Sequence, residues 1–283
     1  MPELPDLEII REFLAPRLPG VVIADAQAPR PLIVRNLVGG DPASILAGRR
    51  FTAVSRRGKY LLLSLDSGIT VVIHPMLAGR VRYGEPLGKN RVRDAMILSL
   101  EDGRELRYHD VKDMGKIYLV SDLNQVPGFA GLGPEADDPA LTLEMFSERL
   151  RKHQGEIKGV LTNQQFFAGI GNAYADEILW CAAIYPMRRR ASLSVAEVDR
   201  LYSCVRAVLQ RAIDTLRERV GAKIDVEVRD FLAVHGREAG ECPRCAGRIS
   251  SVTYERSTTY FCRMCQPGLM VNKGLRLDLP GKD

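Results

Sequence analysis

Four cysteines toward the C-terminal end constrain this chain more than any other feature. Cys242 and Cys245, then Cys262 and Cys265, form two Cys-x2-Cys pairs separated by sixteen residues, a spacing that suits a closed tetrahedral site of four thiolates. Such a site leaves no coordination position for water, so a zinc ion held there would fold its hairpin and do no catalysis. Between the pairs, SVTYERSTTYF reads as a β-hairpin whose tip offers Arg256, Ser257, Thr258 and Thr259. These suit phosphate or base contacts, with a solvated turn as the alternative. The remaining cysteines, Cys181 and Cys204, stand singly in helical patterns, and reduced thiols are expected there.

At 283 residues the chain has room for two moderate domains, each with its own core. No apolar run approaches the roughly 20 residues that a membrane span needs, so no membrane is expected. The first ten residues, MPELPDLEII, lack the basic then apolar order of a secretory signal, and a cytoplasmic protein is the expectation. Two prolines and three acidic residues in the first eight positions also make a poor helix start. A formal charge of +5 permits a nucleic-acid partner without requiring one.

After the opening, EIIREFLAPRL reads as a short helix with Ile9, Ile10, Phe13 and Leu14 on one side, stopped near Pro16 to Gly20. Two strand pairs follow, KYLLLSLDSGITVVIH and AMILSLEDGRELRYH, each around an acidic-Gly turn, which suggests half of a β-sandwich or barrel. The stretch VPGFAGLGPEADDPA marks the domain boundary, and from Thr142 the pattern turns helical. Ser194 with Glu197 predicts a capping box for a long helix carrying Val198, Leu201, Val205, Val208, Ala212 and Leu216 on its apolar stripe.

Other stretches bear on chemistry. FAGIGNAYADEILW places a Gly-x-Gly and Asn172 at a helix start, either a seat for phosphate or a plain joint between helices. In SRRGKYLLL the cations precede a buried strand, leaving Lys59 free to reach an anion, with a solvated charge run as the usual explanation. MRRR, Met187 to Arg190, reads as solvated. His74, ending an apolar strand, reads as a hydrogen-bonded structural histidine.

Five motifs occur in one order: PELP at the N-terminus, RRGKYLLL in the β-rich half, LGPEA at the linker, GIGNAYADEILW among the helices, and VHGREAGECPRC opening the cysteine segment. With them the chain, from Met1 to about Gln266, resembles the formamidopyrimidine-DNA glycosylase and endonuclease VIII family of DNA repair enzymes. The resemblance implies an α+β fold: an N-terminal β-sandwich domain with an N-terminal helix over 1–133, a helix-two-turn-helix domain over 134–230, and a β-hairpin zinc finger with a tail over 231–283. It also implies one structural Zn2+ and a monomer acting on damaged double-stranded DNA in the cytoplasm, at the nucleoid.

In the family the initiator methionine is removed and Pro2 attacks C1′ of a damaged nucleoside, which implies Pro2 as nucleophile, Glu3 as the acid and base beside it, and Lys59 as a catalytic cation. Asp6 replaces the glutamate usual in the family, for which a secondary effect is expected. Lys59, His74, Asn172 and Arg256 match positions that clamp phosphates around the lesion, although Arg256 lies one residue early and leaves Ser257 at that register. Met76 and Leu77 occupy the apolar wedge that fills the space left by an extruded base, with a core turn as the alternative. In RYHDVKDMGK the formamidopyrimidine branch has two arginines and a phenylalanine, an arginine reading the cytosine opposite the lesion and the phenylalanine stacking beside it. This chain has Lys112, Asp113 and Met114. Because a carboxylate accepts hydrogen bonds and cannot donate them, a preference not restricted to cytosine is expected.

The leading reading is therefore a bifunctional DNA glycosylase and abasic-site lyase. The alternative is a paralogue that binds damaged or abasic DNA without cutting, and a third possibility retains only the fold. Pro2, Glu3 and Lys59 together favour the first.

Overall fold

Leu4, Leu7, Ile10 and Leu14 recur at threes and fours, and helix α1 (Leu4–Leu14) buries all four. It starts inside the proline-rich opening, where a poor helix start was expected. Pro5 falls in the first turn, and there its missing N–H removes no intrahelical bond. The computed structural model describes residues 1–88, 93–254, 257–268, 271–272 and 275–276. The chain divides into two units, one of Met1–Glu135 with Arg211–Val228, the other of Ala136–Gln210 with Arg229–Asp283.

The first unit continues with β1 (Ile23–Gln27), β2 (Val34–Asn36), α2 (Pro42–Leu46), β3 (Phe51–Arg57), β4 (Tyr60–Leu65), β5 (Thr70–His74), β6 (Gly79–Gly84), β7 (Asp94–Leu100), β8 (Glu105–Asp110) and β9 (Lys116–Val120). They form a five-stranded sheet, β2-β9-β5-β4-β3, and a four-stranded sheet, β1-β7-β8-β6. Both expected hairpins are present, Leu61 opposite Ile73 in one and Leu98 opposite Leu106 in the other. Leu61, Leu63, Val71 and Ile73 pack with Leu98, Leu106 and Tyr108 in one core. Leu62 and Val72 join Tyr118, Val120 and Val126 in another. Burial of successive residues explains why β4 reads as a nearly continuous apolar run rather than an alternation.

Two registers fix where the catalytic candidates can lie. His74 stands opposite Lys116, and Gly79 opposite Asp110, so the tips at residues 75–78 and 111–115 leave the sheets at the same end. Gly79 and Gly115 both abut the buried Tyr108 hydroxyl: a Cβ would come within 2.0 Å of it at one and 1.7 Å at the other. Only glycine fits at either position.

The second unit holds α3 (Leu143–Arg151), α4 (Ile157–Thr162), α5 (Asn172–Cys181) and the first part of α6 (Val195–Val220), then the hairpin β10 (Ile249–Tyr254) and β11 (Ser257–Cys262). The predicted capping box of α6 is present: Glu197 N donates to Ser194 Oγ at 3.3 Å and Ser194 N to Glu197 Oε2 at 2.8 Å. Two expectations are corrected here. Cys181 and Cys204 form a disulfide, their Cα atoms 5.8 Å apart, within bridging range; periodicity along each helix does not reveal which residues face each other across helices. The MRRR segment is not simply solvated, because Arg188 donates to Ser192 O at 2.7 Å and Arg190 to His153 O at 2.8 Å. Among the described residues no helix is long and apolar enough to cross a membrane.

Candidate active site

Pro2 and Glu3 are both buried, Glu3 to 1% exposure. Glu3 caps α1 through a reciprocal capping box with Asp6, whose Oδ2 accepts from Glu3 N at 2.8 Å. Asp6 therefore fixes the backbone that carries Glu3, and the positive end of the helix dipole favours a carboxylate there. Met1 N lies 3.2 Å from Glu227 Oε1, and Glu227 also pairs with Arg80. Pro2, Asp6, Ile9, Ile10, Arg80 and Glu227 are among the residues lining a shallow cleft.

The RRGK stretch is anchored rather than solvated. Glu135, from the LGPEA motif, accepts from Gly58 N at 2.7 Å and Arg57 Nη1 at 2.5 Å and pairs with Arg56. Arg56 Nε also donates to Glu8 Oε2 at 2.8 Å. These bonds hold the β3–β4 turn, with Gly58 at φ 53°, and present Lys59 at the edge of β4, 8% exposed. Burial pulls the Lys59 ammonium below its ordinary pKa, opposed by the charge of Glu3. His74 stacks on Tyr60 with ring centroids 4.4 Å apart. Burial, then the Lys59 cation, lowers its pKa to about 4, so the ring is neutral at physiological pH.

At the sheet end, Leu77 is 42% and Met114 36% exposed. Met76 has a left-handed backbone, φ 51°. Asp113, the departure noted in the sequence, bonds two arginines: Oδ2 lies 2.7 Å from Arg30 Nη2 and also pairs with Arg93. Lys112 is exposed, and its backbone N donates to the buried Asp110 at 2.9 Å.

In the second unit Asn172 is the first residue of α5. Its Nδ2 donates to Thr258 O at 2.9 Å and its Oδ1 accepts from Ser257 Oγ at 2.9 Å, so the amide ties α5 to the hairpin. Arg256 lies outside the described residues. Thr259 does not belong to an exposed tip set; it is buried and accepts from Lys158 Nζ at 2.7 Å. The Sγ atoms of Cys242, Cys245, Cys262 and Cys265 lie within 4.8 Å of one another, compatible with the ~3.8 Å edge of a tetrahedron of ~2.3 Å metal–sulfur bonds. Trp180 Nε1 donates to Cys242 Sγ at 3.3 Å. Burial raises the Cys242 pKa, but the bonds from Trp180 and the local backbone outweigh it and bring it to about 6, whereas burial and neighbouring thiols push Cys265 up to about 12. Holding all four as thiolates this close together would require a cation among them.

The chain matches the formamidopyrimidine-DNA glycosylase N-terminal domain over residues 1–117 and the formamidopyrimidine-DNA glycosylase H2TH domain over residues 132–223. It belongs to the formamidopyrimidine-DNA glycosylase family. The family member from Symbiobacterium thermophilum is 38% identical over 277 residues, covering 94% of this chain and 90% of its own. That from Heliobacterium modesticaldum is also 38% identical over 277 residues, covering 94% and 100%. Among solved structures, Lactococcus lactis Fpg in complex with an abasic site containing DNA has a TM-score of 0.84 at 29% identity, covering 94% of this chain and 100% of that one.

Within this family fold, Glu3, Lys59 and His74 come together in the first unit, and Asn172 joins the cysteine hairpin in the second. Several supporting residues carry no direct signal in the sequence. Glu135 had a signal, because it is the only carboxylate of LGPEA and the RRG motif needs an acceptor. Glu227, Arg30 and Arg93 had none, since no local pattern marks any of them.

Proposed function

We propose that the chain is a bifunctional DNA glycosylase and abasic-site lyase of base excision repair that removes oxidised bases. One grouping carries the reading: Pro2 lines an open cleft, Glu3 is buried beside it, and Lys59 is buried in the field of Glu3 with no hydrogen-bond or ion-pair partner among the described residues. The name of the curated relatives and the DNA in the Lactococcus complexes support it.

Removal of Met1 makes Pro2 N the chain terminus. An α-amino group titrates near 8, so about a tenth carries a free lone pair at neutral pH. That lone pair bonds to C1′ while the C1′–N bond to the base breaks, the base leaving with the bonding pair and taking up a proton. Pro2 N, now bonded to C1′, gives up its remaining proton to the departing base; Glu3 protonates the ring oxygen O4′, the C1′–O4′ bond breaks, and the freed nitrogen lone pair forms an iminium with C1′. A secondary amine gives an iminium with no N–H to lose, so it stays an electron sink. Glu3, now a carboxylate, takes a proton from C2′; the C–H pair enters the iminium and the C3′–O bond breaks, releasing one phosphate. A second elimination breaks C5′–O, giving β,δ-elimination, and water then hydrolyses the adduct. Lys59, His74, Asn172 and Arg256 hold the flanking phosphates. Met76 and Leu77 fill the space left by the extruded base, Met114 lies beside the opposite base, and the four cysteines hold one zinc, checked by a stoichiometry of one per chain in metal analysis.

Borohydride trapping on abasic-site DNA tests the core of the reading. The mature protein should yield a covalent adduct that Pro2→Gly loses. No adduct from the mature protein would turn the reading to a binding-only paralogue. The absence of a family-type arginine at Asp113 further predicts comparable cleavage opposite all four bases. Activity confined to a lesion opposite cytosine would sink that part.

A further inference from the structure

The tips at 75–78 and 111–115 carry an unexplained arrangement. Each holds a non-glycine residue in the left-handed region, Met76 at φ 51° and Asp113 at φ 55°, and such strain persists only where the surroundings impose it. Leu77, Val111 and Met114 are exposed on them, and Leu32, 84% exposed, is joined to this end by Lys116 Nζ, 3.5 Å from Leu32 O. Arg30 and Arg93 supply cations at Asp113, and Lys112 and Lys116 stand one and three positions from it in the chain. Arg30 precedes β2, and Arg93 precedes β7 with its carbonyl accepting from Asp110 N at 3.1 Å. Three segments distant in sequence thus converge on one oxygen, Asp113 Oδ2. The other oxygen, Oδ1, is buried without a hydrogen-bond partner among the described residues.

An ordinary surface ion pair contributes about 0–1 kcal/mol. That is small against a left-handed backbone and an unsatisfied buried oxygen, so stability alone does not account for the arrangement. A guanidinium carries five N–H donors in a rigid fork, and a bond to Asp113 aims the fork without exhausting it. Exposed apolar side chains interleaved with aimed guanidinium groups suit a nucleic-acid strand, phosphate to the cations and base faces to the apolar groups.

We propose that Asp113 is a positioning residue that holds Arg30 and Arg93 as a paired grip on DNA phosphates where the strand crosses these two tips. The proposal rests on the DNA-repair reading above. It makes a prediction of unusual sign. On a surface that acts only through net charge, deleting a carboxylate strengthens DNA binding. Here deletion releases both arginines and weakens it.

The test measures equilibrium binding of the full chain to a duplex with an uncleavable tetrahydrofuran abasic analogue, across a salt series. Asp113→Ala should raise Kd about tenfold at ~0.15 M salt and reduce the slope of log K against log salt by about 1–2, as expected for the loss of one or two phosphate contacts. Arg30→Ala and Arg93→Ala should each reduce the slope by about 1, and combining either with Asp113→Ala should add less than the separate effects. Tighter or unchanged binding by Asp113→Ala overturns the proposal. So does weaker binding with an unchanged slope, which would assign Asp113 to loop packing. Because this assay reads binding alone, failure of the wild type to form a borohydride adduct would sink the catalytic reading and leave this sign test standing.

Discussion

Among the described residues each unit buries one lysine to a similar depth, Lys59 at 8% and Lys158 at 9% exposure, and their surroundings differ completely. Lys158 Nζ lies 2.6 Å from Asp176 Oδ1 and donates to Thr259 Oγ1 at 2.7 Å, while Asp176 Oδ2 meets His235 Nδ1 at 2.8 Å and Tyr260 N at 3.2 Å. Next to it, Glu177 accepts from the backbone N–H groups of Ala233, Val234 and His235, each at 2.8 Å. Every charge in this group is answered by a neighbour, and the cysteine hairpin is thereby joined to α5. Lys59 has only the field of Glu3 set against its burial. A buried cation without a close partner is costly, so a fold keeps one where something outside it completes the pairing. A phosphate of the substrate does this on the proposed reading.

The contrast fixes two opposite outcomes for the same substitution. Lys158→Met leaves Asp176, wholly buried, without its cation, and should cost about 3–5 kcal/mol of stability, read from denaturant unfolding of the zinc-loaded protein. Lys59→Met removes an unanswered charge and should leave stability unchanged or raised. Its single-turnover cleavage rate should nevertheless fall at least ~100-fold, about 2.7 kcal/mol in activation free energy. If Lys59→Met unfolds early and still cuts, or Lys158→Met is stable, the assignment of one lysine to packing and the other to chemistry is wrong.

The two lysines also show what the sequence could disclose. Lys59 was legible because it sits in a motif, at the start of a strand whose apolar run left no other place for the cation. Both hairpins and the α6 capping box were legible for the same kind of reason, since turn and cap chemistry acts over three or four residues. Lys158 gave no such signal, because its partners Asp176 and Thr259 stand 18 and 101 positions away. The Cys181–Cys204 bridge and the Arg30–Asp113–Arg93 group were hidden likewise, and pairing between elements is set by packing that no local pattern reports. The burial of Thr259 is hidden for the same reason, because a hairpin sequence does not say which face is covered.

The smallest expected effect concerns His74, which feels Lys59 directly. Its folded pKa is about 4 against an ordinary 6.5, with burial the larger cause and the Lys59 cation the second. Between those values the unfolded chain binds the proton that the folded chain refuses. His74 therefore gives its full contribution above about pH 6.5 and loses it as pH falls toward 4, a swing of at most about 3 kcal/mol. Lys59→Met should raise the His74 pKa, because the cation is gone, while leaving it below 6.5, because the burial remains. With four histidines in the chain, NMR titration of the imidazole signals can resolve the change. A His74 pKa that stays at about 4 in Lys59→Met would mean that the lysine charge does not reach the ring, and the electrostatic link between the two would have to be abandoned.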